Sequence, residues 1–300
     1  MEKHQINFKT ASFHQHGWLY QYRPISSGDA IRRLVLVHGA GVAGELSWTF
    51  VANYLTSWDE VLILDLAGMG GAEFLHSPVQ PHVHDYSLQL LELVEALDWL
   101  EFDLAGYSFG GMVAVEFLQN HFSLVSGNDF SGLLFLLEPA MLFSSQVEHL
   151  EQKADEYASI ADALLKRPND LDVYRQFLDS VSPNRKPNPQ AEQLTMERLQ
   201  DQPQSFSSVL YAVEAYLKRH LNTFVDWRSP WPGVSFFGGL APEPMKQRHK
   251  KLAADSVQWD CLELPGADHS LVFTKPRGIA RKMNEVKLAA IAQSALQSPL

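Results

Sequence analysis

The chain of 300 residues has one cysteine, Cys261, and no apolar run approaching the about 18 residues of a membrane span. A single cysteine cannot form an internal disulfide, which excludes the disulfide-stabilised secreted class and favours a reducing compartment. The first residues lack the charged-then-apolar layout of a signal peptide, so a cytoplasmic location is expected. Lys and Arg number 24 against 35 Asp and Glu. The net charge of −11 disfavours nucleic acid and anionic membranes as partners.

The sequence instead contains short aliphatic runs that alternate with helical segments. The runs have the continuous apolar character of strands buried on both faces, at 34–37, 61–64, 104–105, 133–137 and 234–237, and a last strand is predicted at 257–264. The helices predicted beside them are 46–57, 86–100, 109–121 and 279–296. This alternation predicts βαβ units and a mostly parallel sheet. Two earlier runs, 5–13 and 18–25, flank His16 and Gly17 and predict an antiparallel hairpin.

The long segment between 137 and 234 breaks this alternation and is predicted to be helical. Proline-containing breaks divide it into four helices, at 146–167, 171–181, 191–202 and 205–221. Apolar residues of the last helix fall on one face. We therefore predict a helical cap at 141–222 inserted into an α/β core formed by 1–140 and 223–300. Aromatic residues of this cap are expected to supply an apolar pocket; they are Tyr174, Phe177, Phe206, Tyr211 and Tyr216.

A GxSxG motif at 106–110 follows one of the apolar runs and precedes a predicted helix. In a sharp strand-to-helix turn the serine has a strained backbone, and only residues without Cβ fit beside it. The turn exposes the hydroxyl of Ser108 at a helix N-terminus, beside the free amide of Phe109. That amide can stabilise a developing oxyanion, so Ser108 is the predicted nucleophile.

Three further motifs make the chain resemble an α/β-hydrolase from residue 34 to about 290. An HGxG element at 38–41 follows a strand, and the resemblance implies that the Ala40 amide forms the oxyanion hole together with Phe109. The segment at 65–70 resembles a DxPGxG turn in which Ala67 replaces the proline. The loop at 265–270 resembles the one that delivers the catalytic histidine, which makes His269 the expected base. The implied fold is a mostly parallel sheet flanked by helices, with a helical cap.

Members of the family also have a carboxylate that orients the catalytic histidine, and this chain departs from the family pattern at that acid. A turn after the strand at 234–237 usually carries an aspartate, but Ala241 stands at that position. Glu138, after the preceding strand, is the favoured replacement, because a carboxylate at the end of an apolar strand needs a partner such as an imidazole. Glu243, which reaches back from the loop, and Asp268, which adjoins the histidine, remain as alternatives.

The motifs predict a serine hydrolase that cleaves a small carboxylic ester or thioester through an acyl-enzyme, without a cofactor. A lyase or C–C hydrolase using the same serine and histidine is the main enzymatic alternative. The non-enzymatic alternative is a protein of the same fold that binds a small ligand without converting it. His82, His84 and Asp85 superficially suggest a metal site, but no metal is expected there, because Asp85 more simply caps a helix.

Overall fold

The computed structural model describes residues 7–12, 16–21, 31–74, 79–123 and 129–297, the first two ranges through their backbone only. Within these ranges eight strands form one sheet in the order β1-β2-β4-β3-β5-β6-β7-β8. The strands are β1 (Asn7–Ser12), β2 (His16–Gln21), β3 (Arg33–Val37), β4 (Glu60–Leu64), β5 (Asp103–Tyr107), β6 (Leu134–Leu137), β7 (Gly233–Gly238) and β8 (Trp259–Leu264).

The sheet combines a parallel part with an antiparallel hairpin. Strands β3 to β8 run parallel, as the alternating pattern predicted. The predicted hairpin is β1 and β2, and β2 joins the sheet antiparallel to β4. Strands β5 and β6 are neighbours in a register that pairs Tyr107 with Leu137. The next residue of each strand, Ser108 and Glu138, therefore leaves the same edge of the sheet side by side.

Helices cover both faces of the sheet and fill the long insertion. They are α1 (Gly44–Ala52), α2 (Val83–Ala96), α3 (Phe109–Asn120), α4 (Val147–Lys166), α5 (Leu171–Val181), α6 (Pro189–Gln200), α7 (Pro203–Val225), α8 (Glu243–Asp255), α9 (Leu271–Thr274) and α10 (Pro276–Gln297). No helix in the described ranges combines the length and apolarity needed to cross a membrane. The four helices α4 to α7 lie between β6 and β7, where the sequence predicts the cap.

The core lies on the two faces of the parallel strands, whose apolar side chains are almost completely buried. Several predicted boundaries were wrong. Strand β8 begins at Trp259 and not at Val257, which lies in a turn with its side chain fully exposed. Helix α1 was predicted to continue to Ser57, but it ends at Ala52. The non-helical segment that follows still buries Leu55.

Candidate active site

Ser108 lies at the sharp turn between β5 and α3 and is the N-cap residue of that helix. Its φ of 53° and ψ of −118° are strained for a residue with a side chain. Three backbone hydrogen bonds hold this conformation. The Ser108 N–H donates to the Leu137 carbonyl at 2.9 Å, and the Ser108 carbonyl accepts from Gly111 and Ala140 at 3.0 Å each.

The two glycines of the motif are required by close backbone contacts. A Cβ at Gly106 would stand 2.4 Å from the Gly110 carbonyl oxygen, and one at Gly110 would stand 2.4 Å from the carbonyl oxygens of Val37 and His38. These distances are too short for any side chain. The sequence prediction that only glycine fits beside the serine is confirmed here.

His269 follows β8 and faces the serine with its imidazole. Its Nε2 lies 3.0 Å from Ser108 Oγ. His269 is 8% exposed and Ser108 is half-buried, so the imidazole is shielded from bulk water while the hydroxyl is partly accessible. Its loop is held by two backbone contacts: the His269 carbonyl accepts from the Tyr107 hydroxyl at 2.8 Å, and the His269 N–H donates to Ser182 Oγ at 3.3 Å. Burial raises the pKa of the Tyr107 phenol, which keeps it protonated as the donor.

Glu138 follows β6 and lies on the other side of His269. Its Oε2 is 2.7 Å from His269 Nδ1, and its Oε1 accepts the Gly238 N–H at 2.7 Å. The side chain is 1% exposed. Its backbone has a φ of 39°, in the left-handed region, and its N–H donates to the Phe236 carbonyl. Ser108 Oγ, the imidazole and the carboxylate thus form one hydrogen-bonded chain.

The other candidate carboxylates are engaged elsewhere. Glu243 begins α8 with a 60% exposed side chain paired to Lys246 at 3.1 Å, and hydrogen bonding to that lysine lowers the pKa of Glu243. Asp268 accepts the Ser270 N–H at 2.9 Å. Ala241, at the position where the family pattern has its acid, is buried.

The segment at 38–41 passes beside Ser108 and is braced by His38. The His38 Nδ1 contacts the Gly39 carbonyl at 2.6 Å, and Nε2 accepts the Leu66 N–H at 2.9 Å, which assigns the proton to Nδ1. Burial lowers the pKa of His38 to about 4, so the ring stays neutral. The Ala40 N–H has no protein acceptor among the described residues. Phe109 is the first residue of α3, so its N–H has no partner in the helix.

Asp65 begins the turn after β4 and joins it to α1. Asp65 Oδ1 accepts the Gly44 N–H at 2.6 Å. Ala67, which stands where the family pattern has proline, uses its backbone N–H in a hydrogen bond: it donates to Gln89 Oε1 at 2.9 Å. Gln89 Nε2 donates back to the Asp65 carbonyl at 3.1 Å. A proline at 67 has no N–H for this bond. Sequence reasoning did not identify Gln89.

Helices α6 and α7 pack onto the loops around Ser108. A Cβ at Gly41 would stand 2.4 Å from Leu199 and 3.0 Å from Phe206, and one at Gly68 would stand 2.7 Å from Ser205. Phe206 in turn packs against Tyr174 and Phe177; the ring centroids are 6.4 and 4.9 Å away. These three aromatic residues therefore form an apolar layer beside the segment at 38–41.

Two of the five expected pocket aromatics point elsewhere. Tyr211 donates its hydroxyl to Asp162 on the cap surface. Tyr216 donates to Glu116 near the opposite end of α3 from Ser108, at 2.7 Å. Tyr211 stands about 140° around α7 from Phe206 and Tyr216 about 80°, so the helical periodicity could have separated them from Phe206. Ser182 and Tyr107, which hold the His269 loop, lack a distinctive sequence signal.

The segment that superficially suggested a metal site starts α2. Asp85 Oδ2 accepts the His82 N–H at 2.7 Å, so Asp85 caps this helix as predicted. His84 instead faces α3, where its Nδ1 lies 3.4 Å from Glu116 Oε1.

A family model described as "Alpha/beta hydrolase family" matches residues 34–282. A search of curated proteins found no significant match. Among solved structures, the chain is similar to 2-hydroxy-6-oxo-6-phenylhexa-2,4-dienoate hydrolase from Rhodococcus sp. strain RHA1. The TM-score is 0.66 and the identity 18%, over 94% of this chain and 98% of that one.

Two other solved structures have the same fold. A haloalkane dehalogenase loop variant from Bradyrhizobium elkanii has a TM-score of 0.66 at 15% identity, over 97% of this chain and 99% of that one. Est816, described as an N-acyl homoserine lactone degrading enzyme, has a TM-score of 0.60 at 15% identity, over 92% of this chain and 97% of that one. These likenesses establish the fold and leave the reaction open.

Proposed function

The chain belongs to the alpha/beta hydrolase family, and we propose that it is a serine hydrolase that cleaves carboxylic esters or thioesters through an acyl-enzyme. One observation carries the proposal. The hydroxyl of Ser108, the imidazole of His269 and the carboxylate of Glu138 are joined by contacts of 3.0 and 2.7 Å. A serine hydroxyl is a weak nucleophile until a neighbouring imidazole accepts its proton.

In the proposed acylation, Ser108 Oγ attacks the carbonyl carbon while His269 Nε2 takes the hydroxyl proton. The imidazolium then gives that proton to the departing alcohol or thiol as the ester bond breaks. Glu138 keeps the Nδ1 proton aimed at its carboxylate and stabilises the imidazolium. Because Glu138 is 1% exposed, solvent screens this charge interaction only weakly. In deacylation a water molecule takes the place of the serine in the same proton transfers.

The amides of Ala40 and Phe109 are the proposed donors to the oxyanion. Both belong to segments that packing holds rigid: His38 braces the first, and the second begins α3. Donors fixed in place before the reaction stabilise the developing charge without reorganising, and one such donor contributes about 10² to 10³ in kcat.

The proposed substrate is small and has an apolar part. The support comes from the side chains above the oxyanion segment, where Leu199 and Phe206 of the cap approach Gly41. An apolar acyl or alcohol group buried against such a layer gains about 25 cal/mol per Å² of apolar surface removed from water.

A fluorophosphonate probe tests the proposal. The wild-type protein should form one covalent adduct on Ser108, and Ser108→Ala should lose both labelling and hydrolysis of nitrophenyl esters. Ser47→Ala is the matched control, because the hydroxyl of Ser47, inside α1, donates to the Ala43 carbonyl and faces no imidazole. The Ser47→Ala protein should react with the probe to the same extent as the wild type. An unlabelled wild-type protein would overturn the proposal and favour a protein that only binds a ligand.

A further inference from the structure

A second cluster of functional side chains lies where α2 and α3 meet the cap helix α7. It consists of His84 on α2, Glu116 on α3 and His121, the residue that ends α3. One potential ligand atom from each residue lies within 4.8 Å of those of the other two. His84 Nδ1 is 3.4 Å from Glu116 Oε1, and the rings of His84 and His121 are 4.8 Å apart between centroids.

This cluster is remote from Ser108. The serine precedes α3 and His121 follows it. At a rise of 1.5 Å per residue the two ends of α3 are about 18 Å apart. The cluster therefore takes no part in the proposed acyl transfer and needs an explanation of its own.

His121 has an unsatisfied polar atom. The residue is 4% exposed, and its Nε2 has no hydrogen-bond partner among the described residues. Buried polar atoms without a partner are rare in folded proteins, and a bound ion is one of their ordinary explanations. The other two members show that the site can also supply an anionic oxygen and a second imidazole.

We propose that His84, Glu116 and His121 bind a divalent transition-metal ion of the Zn²⁺ type. Two imidazoles and a carboxylate are ligands that Zn²⁺ accepts. Bonds of about 2.0 to 2.2 Å in tetrahedral geometry separate neighbouring ligand atoms by about 3.3 Å. The His84–Glu116 distance of 3.4 Å already has this value. The imidazole of His84 is 53% exposed, so it can rotate to shorten the remaining distance to His121.

The ion would couple the cap to the core. The other oxygen of Glu116, Oε2, accepts the hydroxyl of Tyr216 on α7 at 2.7 Å. A hydrogen bond of this kind orients a ligating carboxylate. The three ligands border a cavity of about 490 Å³ that α7 also lines with Tyr216, Arg219 and His220, which provides space for solvent ligands. Metal bound here would fix Glu116 and, through it, the position of α7.

Calorimetric titration with Zn²⁺ and the absorption spectrum with Co²⁺ test the site. The metal-free protein should bind one Zn²⁺ there, and Co²⁺ should give the visible d–d bands of low-coordinate cobalt. His84→Ala should weaken binding about 100-fold and abolish the bands, and Glu116→Gln should weaken it at least tenfold. His149→Ala is the matched control, because His149 is also exposed but lies on α4 against Ser144. Its binding should equal that of the wild type.

A thermal scan supplies an independent readout that does not use enzymatic activity. A ligand that binds only the folded state raises Tm, so saturating Zn²⁺ should raise the Tm of the wild type and of His149→Ala by several degrees. The same Zn²⁺ should leave the Tm of His84→Ala unchanged. Binding that survives both His84→Ala and Glu116→Gln, or no binding by the wild type, would overturn the proposal.

Discussion

Glu138 combines a strained backbone with a fully occupied side chain. Its φ of 39° is unusual for a residue with a Cβ, and such strain persists only where the surroundings over-determine it. Here the backbone N–H and both carboxylate oxygens have partners, on Phe236, Gly238 and His269. The strain therefore has a use: it directs the carboxylate from the end of β6 toward the imidazole.

Glu138→Gln should lower kcat by about 10³ to 10⁴, because an amide that donates to His269 favours the wrong imidazole tautomer. The amide oxygen can still accept from Gly238, so the fold should survive. Glu243→Gln is the control and should stay within about tenfold of wild type, since Glu243 contacts Lys246 and Gln247 on the surface and not His269. Steady-state kinetics on a nitrophenyl ester gives both values. A large loss at Glu243 with little at Glu138 would refute this assignment.

The candidate nucleophile and base were predictable because each lies in a local motif. Ser108 and His269 are marked by their own neighbours in the sequence. Glu138 could only be favoured over Glu243 and Asp268, because the choice depends on strand register. The pairing of Tyr107 with Leu137 puts Glu138 beside Ser108, and a sequence alone does not reveal that pairing.

In the turn after β4, helix α2 supplies hydrogen bonds where the family pattern has a proline. The N–H of Ala67 bonds to Gln89 on α2, and the same amide group returns a bond to the Asp65 carbonyl. All of these groups are buried. These hydrogen bonds join the turn after β4 to α2. In a family member with proline at this position, the ring would instead restrict the backbone of the turn by fixing φ.

Ala67→Pro should therefore destabilise this chain although it restores the family pattern. Buried Gln89 Oε1 would lose its donor, at a cost of about 1 to 3 kcal/mol in the free energy of unfolding. Urea unfolding measures it. In a Gln89→Met background the proline should cost at least about 1 kcal/mol less, because no acceptor is left unpaired. Equal costs in both backgrounds would show that the bond is not responsible.

The type of each element, strand or helix, was easier to predict from the sequence than the residues at which it ends or the elements that it packs against. The apolar runs identified the strands β3 to β7, because burial on both faces requires continuous apolar sequence. Helix α2 begins at Val83, three residues before the predicted start, because the segment from His82 to Asp85 forms its cap. The cluster of His84, Glu116 and His121 was not predicted, because only the packing of α2 on α3 brings these residues together.

At the scale of the whole molecule, burial holds His38 and His249 in the neutral form. Burial lowers the pKa of His38 to about 4 and that of His249 to about 3, from 6.5. Below pH 6.5 the unfolded chain takes up a proton at each position and the folded chain does not. Stability therefore falls as the pH decreases from 6.5 toward 4, by about 1.4 kcal/mol per pH unit for each histidine.

His249→Leu should reduce the pH dependence of the free energy of unfolding below pH 6.5 by about 1.4 kcal/mol per pH unit, the contribution of one histidine. Both ring nitrogens of His249 lack a hydrogen-bond partner in the part of the chain that the structure describes, so the substitution should leave stability at pH 7 unchanged or raise it. Urea unfolding at a series of pH values measures the slope. The exposed control His149→Ala should keep the wild-type slope. An unchanged slope in His249→Leu would mean that His249 does not stay neutral in the folded protein.

The most direct test of the proposed chemistry is to trap the acyl-enzyme. The protein is mixed with nitrophenyl acetate, quenched with acid within the first turnover and analysed by mass spectrometry of the intact chain and of its peptides. The proposal predicts the addition of one acetyl group, located on Ser108, and no addition in Ser108→Ala. Turnover of the ester with no acetylated protein, or with the acetyl group on another residue, would contradict it.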